Sequence, residues 1–267
     1  METYFSQHGE DFILNKIFKN KAKGFFVEIG CLDGIEFSNT YHFEKKGWNG
    51  ICLEAHNDFI PSLKKNRPGS QIVHCAVGEQ DKEEVIFYAN RIGSLSTLDK
   101  TQEERWLKDY REYFEGFVEQ KLPMRTLNTV FAELGVSGID FISLDIEGYE
   151  VEALQGLDLK KYRPRVFVIE YKDDAHRSRL EDILFKNDYY FLGSLGCNLF
   201  YGTERADVQV LKKRYGKVEL TWIDMKGVKT IGKMNVGNQS NSKLKEMVKK
   251  TWLGKLAKKA LSKVKGT

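Results

Sequence analysis

Val27-Glu28-Ile29-Gly30-Cys31-Leu32-Asp33-Gly34 is the stretch whose reading decides the fold. It continues an apolar run that starts at Gly24, and such a run bounded by glycines suits a strand buried on both faces of a parallel sheet. The strand closes on an acid and then a glycine-containing turn, the arrangement by which doubly wound sheets bring backbone close to a ligand at their carboxyl edge. Gly50-Ile51-Cys52-Leu53-Glu54 repeats the pattern about twenty residues on, where a carboxylate can accept ribose hydroxyls. Ile139-Asp140-Phe141-Ile142-Ser143-Leu144 repeats it again and runs into Asp145-Ile146-Glu147-Gly148-Tyr149-Glu150. Glu28, Glu54 and the Asp145–Glu147 pair thus fall on one sheet edge.

Outward from these strands the chain alternates strand-like and helix-like segments, as an α/β fold should. Helical spacing covers 7–18, and 38–46 reads as a helix capped by Ser38 and ended by Gly47. A helix over 58–66 is stopped by Pro68, and 71–77 forms a third strand. Residues 84–89 are strand-like, 102–114 and 126–134 helical, and a further helix runs to Gln155. A fifth strand over 165–171 and a helix over 177–185 follow; 189–195 and 198–201 pair as a closing antiparallel hairpin. The expected fold class is α/β: a mostly parallel sheet flanked by helices, with that hairpin at its end. One domain spans 1–225, carrying a helical, aromatic insert over about 90–124. Gly227, Gly232, Gly237, Asn238 and Ser240 mark 226–242 as a flexible linker to a tail over 243–267.

Composition narrows the class. With 41% hydrophobic and 30% charged residues the chain is an ordinary globular one, not a disordered one. No apolar run is long enough for a membrane span, and residues 1–11 have no apolar signal region. Cys31, Cys52, Cys75 and Cys197 have no metal-type spacing and read as free thiols in a reducing compartment, so a cytoplasmic location is expected. The net charge of +4 conceals an asymmetry: residues 240–267 hold nine lysines and one acid, which leaves the preceding body at −4. In the tail, Leu244, Met247, Val248 and Trp252 share one helical face, and Leu253, Leu256, Ala257, Ala260, Leu261 and Val264 share another, nearly opposite. A lysine-rich segment of this kind suits an anionic membrane surface, with a protein partner or a solvated tail as alternatives. The acidic body and the lack of an RNA-reading motif argue against nucleic acid.

Gly30 is followed by Gly34 only, so the GxGxxG fingerprint of a pyrophosphate loop is absent and NAD is disfavoured. The spacing fits the glycine turn beneath the methionine part of S-adenosylmethionine. The wider pattern comprises Ser6-Gln7-x-Gly9-Glu10-Asp11, Phe26-Val27-Glu28-Ile29-Gly30-x-x-Asp33-Gly34, Ser38-Asn39-Thr40, Gly47-Trp48-x-Gly50 with Glu54, and Asp145-Ile146-Glu147-Gly148-x-Glu150. Leu154-x-Gly156, Arg163-Pro164 and Ile169-Glu170 follow in order. In that order, over roughly residues 4–202, the chain resembles the FkbM-type S-adenosylmethionine-dependent methyltransferases of the class I Rossmann-like fold.

The resemblance implies methyl transfer from S-adenosylmethionine, usually to oxygen and often on a sugar or glycan precursor. It places Glu28, Gly30, Cys31, Asp33 and Gly34 around the methionine moiety, Glu54 on the ribose and Cys75-Ala76-Val77 beside the adenine. Ser38, Asn39 and Thr40 would open a helix whose N–H groups could hold the cofactor carboxylate, with plain N-capping as the alternative. Gln7, Glu10 and Asp11 would cover the site, or Glu10 and Asp11 would serve a capping box. Asp145 is the first candidate for base or acceptor positioning and Glu147 the second. His42 is a further candidate base, with a packed core residue as its alternative. Glu170 and Tyr171 could orient a polyol, and Asp145, Glu147 and Glu170 could supply oxygens to magnesium; no metal ligand is assigned. Trp106, Tyr110, Tyr113, Phe114 and Phe117 offer faces for a sugar ring, or pack as a lid. The rival readings are a non-catalytic membrane- or partner-docked protein that keeps the fold and, with less support, an NAD-dependent oxidoreductase.

Overall fold

The computed structural model of the 267-residue chain describes residues 2–91, 93–109, 114, 116–223 and 229–236. In chain order its elements are α1 (Glu10–Ile17), β1 (Phe25–Ile29), α2 (Tyr41–Lys45), β2 (Asn49–Glu54), α3 (Ile60–Asn66), β3 (Ser70–His74), β4 (Ala76–Val77), β5 (Lys82–Ala89), α4 (Gln102–Asp109), β6 (Val118–Arg125), α5 (Leu127–Glu133), β7 (Phe141–Leu144), α6 (Glu150–Gln155), β8 (Val166–Glu170), α7 (Asp174–Lys186), β9 (Tyr190–Leu195), β10 (Asn198–Gly202), α8 (Val208–Lys212), β11 (Gly216–Ile223) and β12 (Lys229–Val236).

Seven strands form the central sheet in the order β3-β2-β1-β7-β8-β10-β9, with β10 antiparallel to both neighbours and the other pairings parallel. The continuous apolar runs are explained by burial on both faces. Val27, Ile29, Ile142, Leu144, Phe167 and Ile169 pack on one side against α5, α6 and α7 through Phe131, Leu154 and Leu180. Phe26, Cys52, Phe141, Val168 and Phe200 pack on the other against α1, α2 and α3 through Leu14, Phe43 and Leu63. This is the mostly parallel sheet flanked by helices, with a closing antiparallel hairpin, that the sequence implies. No helix among the described residues is long and apolar enough to cross a membrane.

Four local expectations change. The run 71–77 breaks at Cys75: β3 stays in the main sheet, while β4 pairs with β6 in a second, three-stranded sheet ordered β4-β6-β5. The insert over 90–124 is therefore not purely helical, because its end is β6. Pro123 is tolerated there since it falls opposite the register shift between Lys82 and Val85, where no ladder bond is lost. The helix expected over 38–46 is the short α2, and 38–40 form a loop instead. Within the expected linker over 226–242, residues Lys229–Val236 are a strand paired antiparallel with β11. Gly232, Met234 and Val236 alternate inward, and Val236 is buried against Gly9 at the start of α1. The rest of that linker and the tail over 243–267 lie outside the described residues.

Candidate active site

The sheet order reverses between β1 and β7. The chain leaves β1 toward α2 on one face and leaves β7 toward α6 on the other, which opens a crevice at the carboxyl ends of the two strands. Glycine is required at its floor. Gly30 has φ +83°, and a Cβ there would overlap the Asp145 carbonyl oxygen, so only Gly30 lets the two strand ends meet. Leu32 and Glu147, both lining the crevice, also hold left-handed backbone at φ +50° and +54°. Strained backbone of this kind gathers at functional sites.

Glu28, next to last in β1, lines the crevice under this floor, and its carboxylate is held by protein donors. It accepts from Ser38 Oγ at 2.9 Å, Asn39 N at 2.9 Å and Thr40 Oγ1 at 2.7 Å. It also pairs with Arg67 at 2.9 Å. Arg67 is fully buried; it reaches Gly34 O at 3.1 Å and Thr40 Oγ1 at 2.7 Å, and pairs with Glu44 at 2.7 Å. One guanidinium thus ties the glycine turn, loop 38–40 and α2 together. The notion that N–H groups of 38–40 hold a cofactor carboxylate is corrected by the same geometry. Asn39 N is bonded to Glu28, and Thr40 N and Tyr41 N are bonded to Ser38 Oγ.

Glu54, at the end of β2, lines the crevice and accepts from Cys31 N, Leu32 N and His56 N at 2.7–2.8 Å. Burial raises its pKa, and these N–H groups pull it back only in part. Gln7, Cys31, Ser38, Asn39 and Ala76 also line the crevice, with Cys75, Val77, Phe87 and Leu98 making an apolar wall beside Glu54 and Ala76. Asn39 donates to Ser143 Oγ at 2.9 Å, while its buried Oδ1 has no protein partner.

Across the crevice the acids converge, though not in the expected trio. Asp145, Glu150 and Glu170 bring carboxylate oxygens within 4.8 Å of one another; Glu147 lines the crevice beside them but is not in that group. Glu150 opens α6, and its Oε1 accepts from Ile146 N at 2.9 Å and Gly148 N at 3.0 Å, which shapes the turn after β7. Its Oε2 lies 3.3 Å from His176 Nε2, close enough for an ion pair but not aligned as a hydrogen bond. Burial, then the Glu170, Glu147 and Glu150 carboxyls, raise the Asp145 pKa well above the usual carboxylate range. Burial and Glu170 push Glu150 up to about 7, against the pull of the Gly148 and Ile146 N–H groups. Lys172 lies over Gly148 and is the one lysine lining the crevice among the described residues.

Several expected residues sit elsewhere. His42 is buried against Tyr4, ring centroids 4.6 Å apart, with Nδ1 2.8 Å from Thr3 O. It does not line the crevice, so it is a packed core histidine and not a base. Asp33 Oδ1 accepts from Ile35 N and Glu36 N, and Gly34 packs on Arg67, so both shape the turn from behind. Thr40 faces Glu28 and Arg67. Asp11 holds Phe5 N, Ser6 N and Ser6 Oγ, and Glu10 holds His8 N, so the two acids order the N-terminal segment. Trp106 and Phe114 are buried against each other, ring centroids 5.7 Å apart, and present no free face to a sugar; Tyr110 and Tyr113 lie outside the described residues. Sequence reasoning missed Arg67, His8 and Lys172, and gave Glu150 no role although it quoted it.

The crevice fits S-adenosylmethionine on its own observations. It combines a glycine floor that a Cβ would fill, a strand-end carboxylate over an apolar wall, and an orphaned amide oxygen at Asn39 suited to an ammonium donor. A search of curated proteins finds no match to the chain. Solved structures similar to it include a TehB-like S-adenosylmethionine-dependent methyltransferase from Corynebacterium glutamicum, at 10% identity over 74% of this chain and 88% of that one, TM-score 0.38. A ribosomal protein L11 methylase from Lactobacillus delbrueckii subsp. bulgaricus matches at 9% identity over 73% and 77%, TM-score 0.42. A precorrin-6y C5,15-methyltransferase from Geobacter metallireducens matches at 9% identity over 85% and 82%, TM-score 0.38. The methyltransferase FkbM domain matches residues 28–191, more than half of the chain. The chain therefore belongs to the FkbM methyltransferase domain family and is, by family, an S-adenosylmethionine-dependent methyltransferase.

Proposed function

We propose that the chain methylates a hydroxyl group, that of a sugar or a glycan or polysaccharide precursor. The observation that carries this reading is the carboxyl cluster on the far wall of the crevice. Burial first, and then Glu170 beside it, let Asp145 keep its proton well above the ordinary range, so the pair offers a hydroxyl both a donor and an acceptor. Such a pair suits an alcohol or polyol better than a phosphate or carboxylate, which these acids would repel.

Bound in the crevice, S-adenosylmethionine supplies a methyl group made electrophilic by the sulfonium. Glu54 would accept from its ribose hydroxyls, Ala76 and its apolar neighbours would face the adenine, and Asn39 Oδ1 would accept from its amino group. Asp145 and Glu170 orient the acceptor oxygen, the part of the barrier that alignment lowers most. Asp145, Glu150 and Glu170 are also where a magnesium ion would bind, since hard oxygen donors suit it; no step is assigned to it. The lysine-rich 243–267 segment supports a second part of the proposal, attachment to an anionic membrane surface where glycan precursors are assembled. Replacing its lysines with glutamates should abolish sedimentation with phosphatidylglycerol vesicles; unchanged sedimentation contradicts attachment.

The test of the reaction is incubation of the full chain with methyl-labelled S-adenosylmethionine and a set of methyl hexopyranosides, including a 2-amino sugar, read by NMR. New O-methyl signals are expected. Label appearing only on the amino group would overturn transfer to oxygen.

A further inference from the structure

We propose that His8 is the general base of the reaction and that Glu10 fixes its tautomer; the proposal rests on transfer to a hydroxyl as read above. Among the described residues His8 is the one histidine lining the crevice. Its ring Nδ1 lies 3.2 Å from Glu10 Oε1, and its backbone N donates to Glu10 Oε2 at 2.8 Å. Asn198 Nδ2 donates to the same Oε1 at 2.8 Å, so the carboxylate is held from both sides.

The electrostatics decide which ring nitrogen carries the proton. Glu10 is fully buried, and burial alone would raise its pKa; the His8 bonds outweigh that and lower it. An ionised carboxylate only accepts, so in the neutral ring Nδ1 is the N–H donor and Nε2 keeps a lone pair. The ring is seated by Gly196 in the β9–β10 turn, where a Cβ would overlap the imidazole.

The sheet register brings this group to the acceptor side of the crevice. Asn198 in β10 is directly opposite Glu170 in β8, so the two side chains rise from the same face of the sheet as close neighbours. His8, Glu10 and Asn198 therefore continue the line of Asp145 and Glu170. As the acceptor oxygen bonds the methyl carbon, the carbon–sulfur bond breaks and its electron pair stays on sulfur. The hydroxyl proton passes to His8 Nε2. The positive charge lost at the sulfonium reappears on the imidazolium, beside the Glu10 carboxylate that stabilises it. Asp145 and Glu170 position the hydroxyl, and His8 takes its proton.

Two measurements on the full chain decide it. In ¹⁵N-histidine NMR of the wild type, His8 should show a protonated Nδ1 and an unprotonated Nε2; the opposite tautomer overturns the proposal and needs no acceptor. With whichever methyl hexopyranoside the wild type methylates, His8→Ala should lose about a hundredfold or more in kcat with unchanged affinity for S-adenosylmethionine. Added imidazole should restore part of that loss, which a merely structural histidine would not allow. A loss under threefold overturns the assignment. If no probe sugar is methylated, the sugar reading fails while the NMR result still decides the state of His8.

Discussion

Replacing Arg67 with methionine removes a fully buried charge that donates five hydrogen bonds. Arg67 is fully buried and pairs with Glu28, whose side chain is 4% exposed, and with Glu44, at 9%. It also donates to Gly34 O and Thr40 Oγ1. Methionine fills much of the same volume, so the cavity contribution is small and the electrostatic one dominates. Glu28 keeps three neutral donors in Ser38, Asn39 and Thr40 but loses the guanidinium that pairs with it. Breaking one side of a buried pair costs about 3–5 kcal/mol, because a desolvated charge is left behind. For a domain of this size each kcal/mol lowers Tm by about 2–4 °C, so a fall on the order of 10 °C is expected. Urea unfolding followed by tryptophan fluorescence reads the free energy. The double variant Arg67→Met with Glu28→Gln should recover much of the loss, since no unpaired charge then faces Arg67's position from β1. A loss under about 1 kcal/mol, or strict additivity in the cycle, would refute the reasoning.

Glu54→Ala removes a charged acceptor from the crevice and should weaken S-adenosylmethionine binding by roughly tenfold to a hundredfold in calorimetry; an unchanged affinity contradicts the ribose assignment. Glu150 has its pKa raised to about 7, so its ionisation opposes folding: the stability it contributes is full below the unfolded carboxyl pKa and is lost as pH rises through 7. In EDTA, Glu150→Gln should therefore gain stability relative to the wild type between pH 5 and pH 8, by about 2–3 kcal/mol; parallel pH curves would show that the shift is absent. Asp11, raised to about 7 by burial, leaves a falling stability with pH in both proteins. His42→Leu should change Tm yet keep S-adenosylmethionine affinity within threefold, and a tenfold loss in a folded variant would return His42 to the site.

The middle of the central sheet was legible because β1, β2, β7 and β8 are short apolar runs that end beside a charge or a glycine, the pattern of strands buried on both faces. β7 and its Asp145 turn, and β8 with Glu170, followed from that rule. It failed where strands are half exposed. β6 carries Glu119, Lys121 and Pro123 outward and buries only Leu122 and Met124 well, and β12 is thin in large apolar side chains. The reach of the site was legible in part. Strand-end position puts Glu28 and Glu54 at the edge, but it cannot say that Glu28 faces Arg67, 39 residues further on. Glu150 and His8 were visible as residues without visible roles. Glu150 bonds the turn that precedes its own helix, and Glu10, which pairs with His8, is held by Asn198, distant in sequence and adjacent only once β10 has reversed against β8.

Calorimetric titration of the full chain with S-adenosylmethionine, S-adenosylhomocysteine and NAD tests the central claim most directly. Saturable binding of the first two at one site, with no heat from NAD, is the predicted result. Binding of NAD, or of none of the three, would contradict the assignment of this crevice to S-adenosylmethionine.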